Sequence, residues 1–373
     1  MKKTLAKIGK VLIAILFCLI GAGAGILLSA TLFSGFFNIF EVAIGVLGLL
    51  ISFYLSTIVH EGGHLVFGLL SGYSFSSFRI GNIMWIKQDG KINIRNLSIT
   101  GTGGQCLMAP PESKDAKIPV ILYNLGGVIA NVILCAVFGL VYYLFLRINI
   151  LVSLICLFGA IISFFIALTN GIPLNVGGVA NDGMNAVQLS KNLEATRAFR
   201  NQLLMNSAQA RGVRISNMPD EWFTLPKDAD MQNVHNASIA VFAVSRALDK
   251  CDTLMAEQEI NKLLNSGYNI IGLHKNLLKC DLIYARLINH GDNANISSLL
   301  TAEQMKFMQS MKNFPSIIRT EYSIALLRDN DEQKADLIRQ NFEKIAKKYP
   351  YSADIDSERD LLNLAAKKYK NKI

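Results

Sequence analysis

The residues best suited to chemistry are His60, Glu61 and His64, which stand in the sequence HEGGH. Positions four apart lie on one face of a helix, so His60 and His64 can offer two imidazoles to one metal ion. Glu61 is adjacent and can act as general base toward a water molecule. Zinc needs a third protein ligand and leaves a fourth position open. The motif therefore predicts part of a zinc site.

The surroundings of this motif strengthen that interpretation. The motif lies in an apolar segment at about residues 40–70, and ionisable side chains inside a membrane are costly and usually functional. Gly62 and Gly63 each disfavour a plain helix by about 1 kcal/mol, but they leave the surface beside the histidines uncluttered. The alternative is a pair of interfacial histidines with a glutamate extended toward water.

Four apolar segments are long enough to cross about 30 Å of hydrocarbon. They lie at about residues 11–33, 40–70, 118–146 and 150–169. The first follows several lysines, as a signal peptide does, but it is longer than a usual signal core and has no convincing cleavage site, which favours a retained helix. The turn at residues 147–149 is so short that the last two segments must form an antiparallel hairpin.

The side of the membrane follows from the basic residues. The connector at residues 73–117 holds six lysines and arginines, whereas the other connectors hold almost none besides Arg147. The positive-inside rule places both termini, this connector and the HEGGH end of the second span in the cytoplasm of a multi-pass cell-membrane protein.

The connector also predicts a small β-hairpin at about residues 75–104. Its β-forming residues alternate with polar ones, and Asp89-Gly90 is a strong hairpin turn signal. The segment ends in Gly101-Thr102-Gly103-Gly104. Either this hairpin has a functional role, or it only links two helices.

A third metal ligand is expected at the end of the fourth span. Pro173 and several glycines stop that helix, and Asp182-Gly183 follows. No other acidic residue ends a span at this depth, so Asp182 is the best candidate. Spacing alone leaves open an ordinary Asn-Asp-Gly turn.

Residues 187–373 have the composition of a soluble helical domain. Seven segments show apolar residues at helical spacing; they lie at about residues 237–248, 257–264, 271–288, 302–311, 317–327, 335–348 and 358–370. Their pairing suggests a solenoid resembling tetratricopeptide repeats, or else a compact bundle. This domain is expected to dock a protein partner or substrate tail, or to regulate access.

The bulk composition excludes some classes of protein. The chain is 51% hydrophobic and carries a net charge of +9. No nucleic-acid-binding motif accompanies that charge, so basic flanks of membrane spans and contact with the lipid bilayer explain it better. The six cysteines form no CxxC pair, which argues against a zinc knuckle or a redox motif.

These motifs together resemble the site-2 protease family of intramembrane zinc metalloproteases, over about residues 50–186. The similar features are the HEGGH sequence, Asn170 and Pro173 before Asp182-Gly183, and Gly126-Gly127 followed by Asn131. Gly101-Thr102-Gly103 resembles the Gly-x-Gly turn of the family's β-hairpin. Val128 and Asn181 depart from the family pattern, which often has proline and leucine there. The short turn between the third and fourth spans has no room for a PDZ module.

The resemblance implies a Zn²⁺ ion held by His60, His64 and Asp182, with Glu61 as the catalytic base. It also implies substrate contacts by Asn131, Asn170, Gly101 and Gly103, although Asn131 can equally make a structural bond between helices and Asn170 can cap its helix. The substrate would be a transmembrane or signal-peptide-like protein.

The expected architecture is an all-α polytopic membrane protein with about four spans, the hairpin insert, a protease domain at residues 1–186 and a helical domain at 187–373. Two other readings remain. The chain can be an inactive protease-like scaffold that binds transmembrane partners, or a metal-handling membrane protein, which the lack of internal repeats disfavours.

Overall fold

The computed structural model describes residues 39–99, 102–113, 117–176 and 179–371. The predicted span at residues 11–33 lies outside them. The described chain is mostly helical with a small antiparallel sheet. It divides into two compact units: a first unit of residues up to 72 with 119–191, and a second unit of residues 73–118 with 192–373. The predicted domains counted the connector with the spans, whereas the compact units group it with the C-terminal helices.

Three helices of the first unit are long and apolar enough to cross a membrane, and they coincide with the remaining three predicted spans. The helices of this unit are α1 (Ile39–Leu70), α2 (Ile121–Phe145), α3 (Ile150–Gly171) and the shorter α4 (Asp182–Lys191). Two short strands, β5 (Asn175–Val176) and β6 (Val179–Ala180), lie between α3 and α4. Asn149 caps α3 by accepting a hydrogen bond from the Val152 amide.

Small residues bring α1 and α2 into backbone contact. A Cβ atom added at Gly63 would lie 2.3 Å from the Gly126 carbonyl oxygen, and one added at Gly126 would lie 2.5 Å from the Gly63 oxygen. Ser56 and Ser163 join α1 to α3 through hydroxyl oxygens 2.8 Å apart. In a bilayer the lipid is as apolar as leucine, so the hydrophobic effect does not drive helices together. Helices associate there through close packing at small residues and through hydrogen bonds between helices.

The second unit begins with a four-stranded antiparallel sheet. Its strands are β1 (Ser74–Ile80), β2 (Ile83–Gln88), β3 (Lys91–Asn96) and β4 (Gly104–Ala109), in the order β3-β2-β1-β4. The predicted hairpin is confirmed at β2–β3, where Asp89 and Gly90 both have positive φ between the paired residues Gln88 and Lys91. The predicted hairpin is thus half of a larger sheet.

Seven of the described helices of the second unit overlap the seven predicted segments, whereas the helix at Leu193–Ala210 is not among them. The described helices of this unit are α5 (Leu193–Ala210), α6 (Val234–Asp249), α7 (Thr253–Asn265), α8 (Gly272–His290), α9 (Ala302–Ser310), α10 (Pro315–Ser323), α11 (Glu332–Ala346) and α12 (Ser352–Lys370), with a π-helical turn at Ile324–Arg328 and 3-10 turns at Ile215–Asn217, Asp220–Trp222 and Gly291–Asn293. The helices α5 to α8 pack against one another in chain order, α10 packs against α8 and α11, and α12 turns back onto α5, α6, α8 and α10. Met84 and Ile86 of the sheet form a separate small core with Ala210.

Candidate metal centre

His60, His64 and Asp182 come together in the first unit. The Nε2 atoms of His60 and His64 lie 3.1 and 3.4 Å from Asp182 Oδ2, and 3.3 Å from each other. All three side chains are at least four-fifths buried. Three buried ligand atoms that face one point form a group that could hold a metal ion.

The ring orientation of His64 is set by the backbone of α2. Its Nδ1 lies 2.8 Å from the Tyr123 carbonyl oxygen. A carbonyl only accepts hydrogen bonds, so Nδ1 carries the proton and Nε2 keeps its lone pair directed at Asp182. Support of this kind behind a ligating histidine orients the ring and raises its basicity. Sequence reasoning did not identify Tyr123, because the contact uses a backbone atom that any residue has.

Gly127 makes room for both imidazoles. A Cβ atom at this position would lie 2.7 Å from His60 Cε1 and 2.7 Å from His64 Nε2. By contrast, a Cβ atom at Gly62 would meet no atom of the described residues within 4 Å, and Gly63 is needed for contact between α1 and α2. The two glycines of HEGGH therefore differ in role: Gly63 allows the helices to approach, and Gly62 faces open space.

Asp182 is positioned by close contact between the start of α4 and the end of α3. A Cβ atom at Gly183 would lie 2.1 Å from the Gly171 carbonyl oxygen, so only glycine fits beside Asp182. Gly171 itself packs against Val128 of α2, whose Cγ1 would lie 3.0 Å from a Cβ atom there. Val128, one of the two departures from the family pattern, thus contributes to the packing that supports the carboxylate.

Asn181, the other departure, anchors the loop before Asp182. Its Nδ2 donates to the carbonyl oxygens of Thr169 (2.7 Å) and Ile172 (2.6 Å). Its Oδ1 accepts from the amides of Leu174 (3.1 Å) and Met184 (2.9 Å). The bond from Met184 is an N-cap for α4. One side chain therefore joins the end of α3 to the start of α4.

The electrostatics of the cluster fit a cation. Asp182 Oδ2 and His60 Nδ1 are buried without a hydrogen-bond partner in the described part of the chain, and such atoms in native proteins call for an explanation such as an ion. Burial raises the pKa of the Asp182 carboxyl, but when the imidazoles of His60 and His64 are protonated, their hydrogen bonds and positive charge outweigh burial and lower it to about 2. The carboxylate is therefore ionised at neutral pH.

Glu61 follows His60 on α1 and is partly buried. Consecutive helical residues point about 100° apart, so the Glu61 side chain leaves the helix beside the cluster and does not share the face of His60 and His64. This position is compatible with the predicted role of Glu61 as a base beside a metal ion, and that role stays a prediction.

The predicted substrate-binding residues are only partly brought to this cluster. Asn131 lies one turn after Gly127, on the same face of α2, and is fully buried. Neither atom of its amide has a hydrogen-bond partner among the described residues, so the alternative bond between helices is not seen there. Asn170 donates to the Ile166 carbonyl of its own helix (2.9 Å). Their substrate contacts stay predictions.

The glycines of the connector belong to the second unit. Gly101 lies outside the described residues. The Gly103 carbonyl accepts a hydrogen bond from the Gly81 amide (2.8 Å) at the end of the sheet. The buried Arg79 guanidinium donates to the Gly104 carbonyl and to the Thr102 hydroxyl of this segment. A role of Gly101 and Gly103 in substrate binding stays a prediction.

Comparison of the chain with protein-family models, characterised proteins and solved structures found no match. The resemblance to site-2 proteases therefore depends on the sequence motifs alone and stays a prediction.

Proposed function

We propose that this protein is a zinc metalloprotease that hydrolyses peptide bonds of membrane-spanning substrates. The observation that carries the proposal is that His60 and His64, on a helix apolar enough to cross a membrane, converge with Asp182 at the start of the short helix α4, with Glu61 next to His60 in the chain. Two imidazoles and one carboxylate are the protein ligands of many catalytic zinc sites, which keep a fourth position open.

The ligand separations are compatible with zinc. Zinc bonds of about 2.1 Å in tetrahedral geometry place ligand atoms about 3.4 Å apart. The three separations here are 3.1, 3.3 and 3.4 Å. A bound zinc ion would act as a Lewis acid that polarises the peptide carbonyl and stabilises the negative charge developing on its oxygen.

The residues of this chain would supply the remaining chemistry. Glu61 takes a proton from the attacking water on its carboxylate and later gives a proton to the leaving amine. The Tyr123 carbonyl keeps His64 in the tautomer that can bind zinc. Asn131 offers a buried amide on the same face of α2 as Gly127, where it can hydrogen-bond the backbone of a bound peptide.

A transmembrane substrate has to unwind near the cut, because its helical carbonyls are hydrogen-bonded. An unwound segment needs new backbone partners, and an exposed sheet edge can provide them by adding a strand. The strand order leaves β3 and β4 at the two edges of the sheet. A role of this sheet in holding a substrate segment stays a prediction.

The test is cleavage of a model transmembrane substrate by the purified full chain in detergent, with bound zinc measured by elemental analysis. Glu61→Gln should keep the zinc and lower the cleavage rate by about 10²–10⁴. Asp182→Ala should lose both zinc and cleavage. His290→Ala is the control, because His290 lies in the second unit beside Glu257, and it should change neither.

The outcomes separate the alternatives. Cleavage that survives Glu61→Gln would exclude Glu61 as the base. Zinc binding without cleavage of any substrate offered would favour the inactive scaffold. A wild-type protein without metal would overturn the assignment of the whole site.

A further inference from the structure

The second unit contains a polar cleft that the proposed chemistry does not use. It has a volume of about 240 Å³ and lies among α5, α6, α8, α10 and α12. Part of its wall is aromatic, formed by Phe242, Phe314 and Tyr349. Four carboxylates also line it: Asp249, Asp281, Asp354 and Glu358. A water molecule takes about 30 Å³ of liquid volume, so one long side chain would fit together with a few waters.

Two arginines balance only part of this negative charge. Arg214 pairs with Asp249 at 2.6 Å. Arg319, which is 1% exposed, pairs with Asp281 and is also the nearest cation to Glu358, at 3.5 Å. Its Nε has no hydrogen-bond partner among the described residues. One buried guanidinium thus serves two carboxylates.

Asp354 and Glu358 carry the unbalanced charge. Asp354 accepts a hydrogen bond from the Gln209 amide (3.0 Å) and has no ion pair within the described ranges. The two carboxylates lie four residues apart on α12, a spacing at which like charges repel. Burial raises the pKa of each carboxyl group to about 7.

The remaining titratable groups do not supply the missing charge. His274 lines the cleft, but burial lowers the pKa of its imidazole to about 4, so it is neutral at pH 7. Burial raises the pKa of the Tyr349 hydroxyl well above its usual value, so it too is neutral. Arg319, already paired with Asp281, is therefore the only cation at neutral pH among the described residues that line the cleft.

We propose that this cleft binds a lysine or arginine side chain from the basic segment that flanks the transmembrane helix of a substrate. The identity of this partner rests on the proposed protease function, whereas the binding of a cationic side chain does not. Lysine and arginine have an apolar stem and a charged head, which match an aromatic wall beside carboxylates, and a cation also gains from an aromatic face. Membrane proteins carry such residues on the cytoplasmic flank, the side predicted here for the C-terminal helices.

The test measures peptide binding to the full-length Glu61→Gln protein in detergent, so that cleavage cannot interfere. The probe is a short fluorescent peptide with two arginines, and its matched control has citrulline, which is neutral and has nearly the same shape, at both positions. The arginine peptide should bind at least about tenfold more tightly, and its affinity should rise from pH 6 to pH 8 as Asp354 and Glu358 ionise.

Variants localise the effect. Asp354→Asn combined with Glu358→Gln should weaken binding of the arginine peptide about tenfold or more. Asp356→Asn is the control, because Asp356 is exposed on the same helix and pairs only with Arg359 among the described residues. Thermal unfolding followed by tryptophan fluorescence verifies that each variant is folded.

Equal binding of the two peptides, or full binding by the folded double variant, would overturn this proposal. If the peptide binds as expected but the wild type cuts no substrate, the cleft is supported as a binding site for a cationic side chain and the protease assignment fails. If cleavage is found but the arginine peptide does not bind, only the cleft proposal fails.

Discussion

Both units bury ionisable side chains, but they compensate them differently. In the second unit, Arg319 lies between Asp281 and Glu358 and its guanidinium stacks 4.5 Å from the centre of the Tyr284 ring. In the first unit, the Asp182 carboxylate faces two imidazole nitrogens, and no lysine or arginine pairs with it in the described part of the chain. The Arg319 cluster of the second unit contains its own cation, whereas the Asp182 cluster of the first unit could hold a bound one.

This difference separates structural from functional buried charge. A buried carboxylate with an arginine is a common element of a folded core, and removing either partner is costly. A buried carboxylate that converges with other ligand atoms is complete only when a cation binds. By this criterion Asp281 is structural and Asp182 belongs to a group that could hold a metal ion. Asp354 lies between these two cases, because only an amide accompanies it.

The largest expected effect is on the structural side. Arg319→Met leaves Asp281 and Glu358 buried without their cation, so the free energy of unfolding should fall by about 3–5 kcal/mol. Urea unfolding followed by tryptophan fluorescence measures this, because both tryptophans, Trp85 and Trp222, lie in the second unit.

The matched control is Arg359→Met, which breaks a partly exposed pair with Glu343. Such pairs contribute about 0–1 kcal/mol. If both variants lose the same stability, the Arg319 cluster is not the structural element described here.

The next effect concerns the metal centre. Gly127→Ala places a Cβ atom 2.7 Å from both imidazoles, and overpacking of this kind costs about 1–3 kcal/mol. The affinity for zinc should fall by about 10- to 100-fold, the range seen when support behind metal ligands is removed. Competition with a zinc chelator measures it. Gly62→Ala, where nothing lies within 4 Å, should keep wild-type affinity, and an equal loss in both would contradict the packing argument.

A smaller effect is expected at the loop that carries Asp182. Asn181→Ala removes the N-cap of α4, worth about 1 kcal/mol, together with the bonds to the end of α3. Zinc affinity should fall about tenfold as the carboxylate loses its fixed position. Asn175→Ala, at an exposed asparagine of the same loop, should leave zinc affinity unchanged. Loss of metal in this control alone would show that another part of the loop positions Asp182.

The smallest effect tests the intermediate case, Asp354. Burial raises the pKa of this carboxyl to about 7, so the folded state holds a proton that the unfolded state has released. The protonated Asp354 carboxyl therefore contributes to the stability of the folded state at low pH, and this contribution is lost as pH rises toward 7. Asp354→Asn removes this pH dependence. The increase in melting temperature of the variant over the wild type should therefore be larger by about 2–4 °C at pH 8 than at pH 6. Asp356→Asn should show no such difference, and a pH-independent gain at position 354 would contradict the assigned pKa.

Local spacing allowed much of this structure to be predicted. The interval between His60 and His64 places both on one helical face, and Asp89-Gly90 requires positive φ at a two-residue turn. Apolar periodicity locates the helices of the second unit from Val234 onward, but not the one at Leu193–Ala210. Each of these depends on residues close together in the chain. The sequence alone also selected Asp182, but only as one of two interpretations.

Tertiary structure decided the rest, because it depends on contacts between residues far apart in the chain. The sequence determined which residues could bind a metal, whereas packing at Gly63, Gly126 and Gly183 decided that His60, His64 and Asp182 meet. Asn181 departs from the family pattern in sequence, and only the fold shows it anchoring the ligand loop. The buried charge of Arg319 and Asp354 likewise has no local signal, since the return of α12 onto the earlier helices is what removes both from water.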